Sequence, residues 1–266
     1  MAALAAILGA AGALVLERII IAKRKKTSLW TVQPHPGWTP PSPLPPPFDS
    51  GEWHDVDPET TSTEAMYPLV ISSIVPRPIA FISTIGPDGK TGNLAPFSYF
   101  NTVGHAPPLV AIGFAATKLR DHGLKDTLYN ILETGEFVVN IISEWYVEAA
   151  NHCCGNFPYG SNEMELSGLH PVPSFKVKPP RVGEAGVQLE CILRQKYEAS
   201  RGNDGKPTTT VIIGEVVMFH IADGVAGKSP SGKLIVDINK FAPISRLGGN
   251  TYGRTNGLFD LPRPDR

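Results

Sequence analysis

Cysteine is scarce in this 266-residue chain: there are three, Cys153, Cys154 and Cys191, and two of them are adjacent. Such a set cannot build a disulfide framework, so stability must come from an apolar core, and a reducing compartment fits. Net charge is equally scarce. Lys and Arg number 24 against 25 Asp and Glu, a formal balance of -1 that leaves no broad basic field and excludes nucleic acid as the expected partner. The chain also lacks a GxGxxG turn, a GxSxG elbow, a Ser-His-Asp order and any repeat at a solenoid or propeller period. These absences argue against a Rossmann nicotinamide site, a serine hydrolase and a repeat architecture. His152, Cys153 and Cys154 form a compact trio, but neighbouring cysteines do not both reach one tetrahedral ion, so no metal is expected. Cys153 reads as a buried apolar cysteine or, if exposed, as an oxidisable thiol.

What is present begins with an apolar amino terminus. Residues 1–16 are all small or apolar, Glu17 and Arg18 follow, then residues 19–22, then the basic cluster Lys23, Arg24, Lys25 and Lys26. As a helix, residues 1–22 would reach roughly 33 Å, the thickness of a bilayer's hydrocarbon core. The basic flank would orient residues 1–26 as a single-pass membrane anchor with the rest of the chain in the cytosol. An amphipathic interfacial helix, an organelle-targeting segment and a dispensable tail of a cytoplasmic protein are the alternatives; a cleaved secretory signal has its charges on the other side.

Residues 27–52 form a proline-rich linker, with Pro34, Pro36, Pro40, Pro41, Pro43, Pro45, Pro46 and Pro47, a stiff spacer outside any sheet or helix. Residues 53–266 are then the folded domain. Within it, residues 109–114 and 137–142 are short apolar runs that fit strands. Between them, Asp126 is a predicted N-cap, Leu128, Ile131 and Leu132 give a helical stripe, and Gly135 stops the helix. Residues 187–199 and 208–221 alternate as a long antiparallel pair. The predicted fold is mostly β, a closed barrel with peripheral helices.

Two segments carry candidate chemistry. In the first, Ile79, Ala80, Phe81, Ile82 and Ile85 supply a strand, Pro87, Asp88 and Gly89 a turn, and Leu94 and Ala95 the return. Pro96 then removes a ladder donor, so the ladder is predicted to end there, with Ser98, Tyr99 and Asn101 beside an irregular edge. By spacing alone this is either a wall for a flat ligand or a hairpin that ends in a bulge. In the second, Lys125 and Thr127 flank the first turn of the predicted helix, where free N–H groups and the macrodipole favour an anion. Asp126 would compete for the same N–H groups, and ordinary capping beside a surface lysine is the other reading.

Five passages, in order, resemble the flavin reductase-like family of FMN-binding split-barrel proteins, which includes flavoredoxins and related ferric reductases. They are RPIAFIST (77–84), NLAPFSYFN (93–101), KDTLYNILETGEFVVN (125–140), GLHPVPSFKVKPPRV (168–182) and RLGGNTYGR (246–254). The resemblance implies an FMN-binding split β-barrel, often a homodimer, that transfers hydride from NADH or NADPH to FMN and on to a flavin, iron, oxygen or an organic acceptor. A non-catalytic FMN carrier is the alternative, and a pyridoxine phosphate oxidase a remoter one. It implies that Ser83, Thr84, Asn93, Ala95, Pro96, Ser98, Tyr99 and Asn101 line the flavin and ribityl chain, that Lys125 and Thr127 hold its phosphate, and that Asp126 caps the helix. Arg77 is a further candidate, or a structural ion pair. Gly248 and Gly249 would let the backbone approach the ring, and Tyr252 would stack on it or cover it. Hydride transfer to a flavin requires no acid or base, so no catalytic side chain is assigned.

Overall fold

The computed structural model describes residues 29–44, 51–120, 123–200 and 206–264. They fall into two units, Ser50–Thr255 and a smaller one drawn from Met1–Asp49 and Asn256–Arg266. In the smaller unit Trp30 bridges Leu258 in parallel, with the Thr31 N–H donating to the Leu258 carbonyl at 2.6 Å. The expected anchor, residues 1–26, lies outside the described residues. Among the described residues no helix is long and apolar enough to cross a membrane, which corrects the membrane-anchored placement: the structure offers no spanning helix to support it.

The larger unit opens with α1 (Thr63–Ser73), capped by the Ser62 hydroxyl, which accepts from the Ala65 N–H at 3.2 Å. Four strands follow, β1 (Ala80–Ile85), β2 (Gly92–Phe97), β3 (Phe100–His105) and β4 (Pro108–Ala115), then α2 (Asp126–Thr134) and β5 (Glu136–Ile141). Two short helices, α3 (Val147–His152) and α4 (Glu163–Leu166), lead to the small pair β6 (Pro171–Val172) and β7 (Arg181–Val182). The long strands β8 (Val187–Ala199) and β9 (Thr209–Ile221) come next, then β10 (Ala226–Lys228), β11 (Leu234–Val236), α5 (Ile238–Phe241), β12 (Ile244–Arg246) and β13 (Tyr252–Arg254).

Seven strands make one antiparallel sheet in the order β2-β1-β5-β8-β9-β4-β3. Its two ends, β2 and β3, are consecutive in sequence and joined only through Ser98 and Tyr99. So short a link forces the sheet to roll round on itself. Beside that link the sheet closes on β4, where Phe97 of β2 packs on Phe114 with ring centroids 4.6 Å apart and the Gly113 N–H donates to the Tyr99 carbonyl at 2.7 Å. Register shifts in β8 and β9 at Glu190/Cys191 and Leu193/Gln195 are the irregularities that let long strands bend round a barrel.

β1 is buried along nearly its whole length because both its faces are covered. Ala80 and Ile82 face the barrel interior with Ile112, Phe137 and Ile212, whereas Phe81 faces an outer cluster with Leu94, Ile142 and Tyr146 under α3 and α4. Phe137 fills the barrel only because Gly214 has no side chain: a Cβ there would lie 2.4 Å from its ring. Full burial of such a ring is worth about 1.5–3 kcal/mol.

The ladder does not end at Pro96, as predicted; it continues to Phe97, with Pro96 opposite Phe81. A residue without a donor is tolerated because β2 is an end strand with one unpaired side. On β8, the wholly buried Glu190 pins the segment before β7. Its carboxylate accepts from the N–H groups of Phe175 at 2.8 Å, Lys176 at 2.5 Å and Val177 at 3.2 Å, and pairs with His220 Nε2 at 2.6 Å.

Candidate functional site

A cavity of about 350 Å3 opens beside the Ser98–Tyr99 link. Its walls come from β2, the start of α2, the loop after α3 and the β12–β13 hairpin. Of the residues expected at a ligand, Arg77, Asn93, Ala95, Pro96, Ser98, Tyr99, Lys125, Thr127, Gly249 and Tyr252 line it.

The helix start is the polar end. Lys125, not Asp126, is the N-cap of α2, with extended backbone (φ -65°, ψ 144°) and no side chain capping the helix. The expected capping role of Asp126 is thus corrected. Its carboxylate turns to Arg120, with Nε to Oδ1 at 2.7 Å and Nη2 to Oδ2 at 2.5 Å, and Nη2 also donates to the Phe157 carbonyl at 2.9 Å. The first N–H groups of α2 therefore keep no acid of their own. Among the described residues the Lys125 ammonium makes no hydrogen bond or ion pair. At the other end of the helix Gly135 takes the left-handed conformation, φ 74°, and its N–H closes on Ile131 at 2.9 Å.

Thr127 is buried, and its hydroxyl accepts from Asn93 Nδ2 at 2.7 Å, which leaves its own proton for a further acceptor. Asn93 reaches Thr84 Oγ1 at 3.3 Å, and Asn130 donates to the same oxygen at 3.0 Å. Thr84 is therefore a support behind the wall rather than part of it. Ser83 is likewise turned away and donates to the Pro180 carbonyl. Both belong to β1, an interior strand whose side chains enter packed layers, whereas the cavity lies at the β2 end of the sheet. Asn101 is exposed, accepts from the Thr102 N–H at 2.8 Å, and lines a separate apolar recess with Leu109 and Phe219.

Arg77 is a clamp rather than half of an ion pair. It donates to the carbonyls of Ile71 and Ile74 at the end of α1, the latter at 2.7 Å, and to that of Leu247 at 2.5 Å. Gly248 sits against the other side of this junction: a Cβ there would be 3.6 Å from Ser72 and outside the cavity. Tyr252 stands at the rim with the Arg246 guanidinium 4.5 Å from its ring centroid, so one face is already covered.

Several wall residues escaped the sequence reading: Tyr67, Arg120, Glu163 and Arg246. Arg120 carries no local motif that separates it from a surface arginine, and Arg246 heads the RLGGNTYGR passage, in which only Gly248, Gly249 and Tyr252 were expected at the ligand. Glu163 is buried on α4 and accepts from the Leu94 N–H at 3.0 Å; burial raises its pKa, and the Leu94 bond only partly opposes this. The trio at the end of α3 diverges. His152 lies against Phe157, and Cys153 is buried against the carbonyls of Ala149 and Glu163, where burial pushes its thiol up to about 11.

Residues 72–243 match the flavin reductase like domain family. Among solved structures, nitrilotriacetate monooxygenase component B from Bacillus cereus is 34% identical with a TM-score of 0.72, covering 80% of this chain and 100% of that one. The 2-nitrobenzoate 2-nitroreductase of Pseudomonas fluorescens is 31% identical with a TM-score of 0.66, covering 79% and 96%. A putative flavin reductase with a split barrel domain from Shewanella frigidimarina shares the fold at 22% identity and a TM-score of 0.61, covering 77% and 96%.

Proposed function

The chain belongs to the flavin reductase-like family of split-barrel proteins, and on that premise we propose that its cavity binds FMN. With it the protein acts as an oxidoreductase, taking hydride from NADH or NADPH and passing electrons to a flavin, iron, oxygen or an organic acceptor. The observation that carries this reading is the start of α2: an uncapped helix terminus, an unpaired lysine and a buried hydroxyl with a spare proton, all opening on one cavity.

The residues fit the group. Lys125, the Thr127 hydroxyl and the free N–H groups of α2 would hold the phosphate, with the helix dipole adding to the attraction. Ala95 and Pro96 give the β2 wall a flat apolar strip, while Ser98 and Tyr99 add hydroxyls beside it. Asn93 holds Thr127 in place and ties this wall to the buried Thr84 and Asn130. Bound there, the flavin supplies the hydride and electron chemistry, and the protein's part is orientation, polarity and access. Two of the similar solved structures are named as members of redox systems, which supports an enzyme over a carrier. A homodimer is part of the proposal, and the exposed Val103 and Phe219 supply apolar surface for it.

The test is the visible spectrum of the full chain with FMN, followed by anaerobic addition of NADH or NADPH. Flavin bands that bleach are the expected result. Bands that persist unchanged would reduce the protein to a flavin carrier, and a chain that retains no flavin would overturn the assignment.

A further inference from the structure

Four cations line the cavity: Arg77, Arg120, Lys125 and Arg246. Two are committed. Arg77 is held by backbone carbonyls at the end of α1 and at Leu247, and Arg120 by both oxygens of Asp126. Among the described residues Lys125 and Arg246 have no carboxylate partner, and they stand on different elements, the start of α2 and the end of β12. If Lys125 takes the flavin phosphate, as the reading above has it, one unpaired cation is left over at the same cavity.

That cation is held in a fixed place. The Arg246 guanidinium lies 4.5 Å from the centroid of the Tyr252 ring, a cation–π contact, and its Nη2 donates to the Gly249 carbonyl. The ring in turn is tethered, because the Tyr252 hydroxyl donates to Asn151 Oδ1 at 2.7 Å. The Arg246 backbone is paired in both directions with Arg77, at 2.9 and 3.0 Å. Most of the guanidinium's N–H donors remain uncommitted, in the planar fork that matches carboxylate, sulfonate or phosphate oxygens.

We propose that Arg246, stacked on Tyr252, is the seat for an anionic group on the molecule that exchanges electrons with the bound flavin. This inference rests on the FMN reading, and its ligand class is an anion of a nicotinamide nucleotide or of an acidic acceptor. It makes Arg246 a determinant of which partner enters, separate from the group that retains the cofactor.

The experiment compares the full-length wild type with R246Q and R246K, each loaded with FMN and checked by its flavin spectrum. One arm measures KM and kcat for NADH and NADPH. The other uses 1,4-naphthoquinone and its 2-sulfonate as paired acceptors, together with the dissociation constants of NADP+ and of the sulfonate from equilibrium titration. The expected result is a rise of roughly tenfold or more in KM and dissociation constant for the anionic partner in R246Q, with kcat changed by less than about threefold, and partial recovery in R246K. A nucleotide effect assigns the anion to the donor; an effect on the sulfonate but not the neutral quinone assigns it to the acceptor. Unchanged constants for both in a flavin-loaded R246Q would overturn the proposal. So would loss of flavin from R246Q, which would move Arg246 into the cofactor seat. A wild type that binds no flavin would bring down the FMN reading itself, a different failure from the first two.

Discussion

Arg120 grips both carboxylate oxygens of Asp126, at 2.7 and 2.5 Å, and so removes from the start of α2 the one acid that would compete with a bound anion. The pair is an electrostatic guard as much as a brace. R120A should free Asp126 to turn onto the helix N–H groups and weaken FMN binding by about tenfold, on the order of 1.4 kcal/mol. D126N should bind FMN at least as tightly as wild type. Quenching of flavin fluorescence measures both, and a D126N protein with clearly weaker affinity would remove the guarding role.

The phosphate seat can be separated from the ring site. K125A combined with T127A should lower FMN affinity by about 30- to 100-fold, or roughly 2–3 kcal/mol, since charge-assisted bonds are lost. Riboflavin, which lacks the phosphate, should bind the variant and the wild type alike. Asn93 keeps its contact to Thr84, so circular dichroism and melting should show a folded domain. Equal losses for both ligands would mean that the seat is elsewhere.

Glu190 gives the barrel an acid dependence. Burial alone would raise its pKa, but N–H donation from Phe175 and Lys176 and the facing His220 outweigh this and hold it below the ordinary 4.5. With a lowered folded value the contribution is whole above the unfolded pKa. It is lost as pH falls through about 4.5 and below, because the unfolded chain takes the proton first. E190Q should cost about 2–4 kcal/mol at neutral pH, and its gap to wild type should shrink in urea melts carried below pH 4.5. A gap that stays constant with pH would show that the carboxylate's charge is not what pins the segment.

Arg77 joins the end of α1 to the β12–β13 region through backbone carbonyls on both sides. R77M should leave the barrel intact but loosen this junction, costing about 2–4 kcal/mol from stranded acceptors. Hydrogen exchange should rise selectively in residues 71–75 and 246–254. Uniform exchange across the sheet would instead make Arg77 part of the global core.

The strands of the barrel were legible because their apolar runs are short and bounded by turn residues, as in β1, β4, β5 and the β8–β9 pair. α1 was not read at all: Pro68 lies inside it and its apolar residues do not gather on one face. Pro96 misled for a related reason, since sequence does not tell an end strand, which accepts a proline, from an interior one. At the site, local spacing at a helix start marked Lys125 and Thr127 but left ordinary capping open, and the resemblance decided for a phosphate seat; both line the cavity. Arg120 and Glu163 were not marked, because each reaches the cavity from a remote element and only the rolled sheet brings them together; Arg246 lay in a family-like passage, but nothing local shows that its side chain turns to the cavity. Ser83 and Thr84 were placed at the wall through the family resemblance, and nothing in the strand's own sequence says that packed layers cover both faces of β1.

The link of Ser98 and Tyr99 both fastens the two ends of the sheet and borders the cavity. Lengthening it to admit a bulkier ligand would also loosen the seam that holds the barrel shut, so this wall has little freedom to vary. The loop after α3 and the β12–β13 hairpin are under no such obligation. Changes in ligand preference that leave the fold intact should therefore accumulate there, and redesign of the protein for a new acceptor should begin on that side.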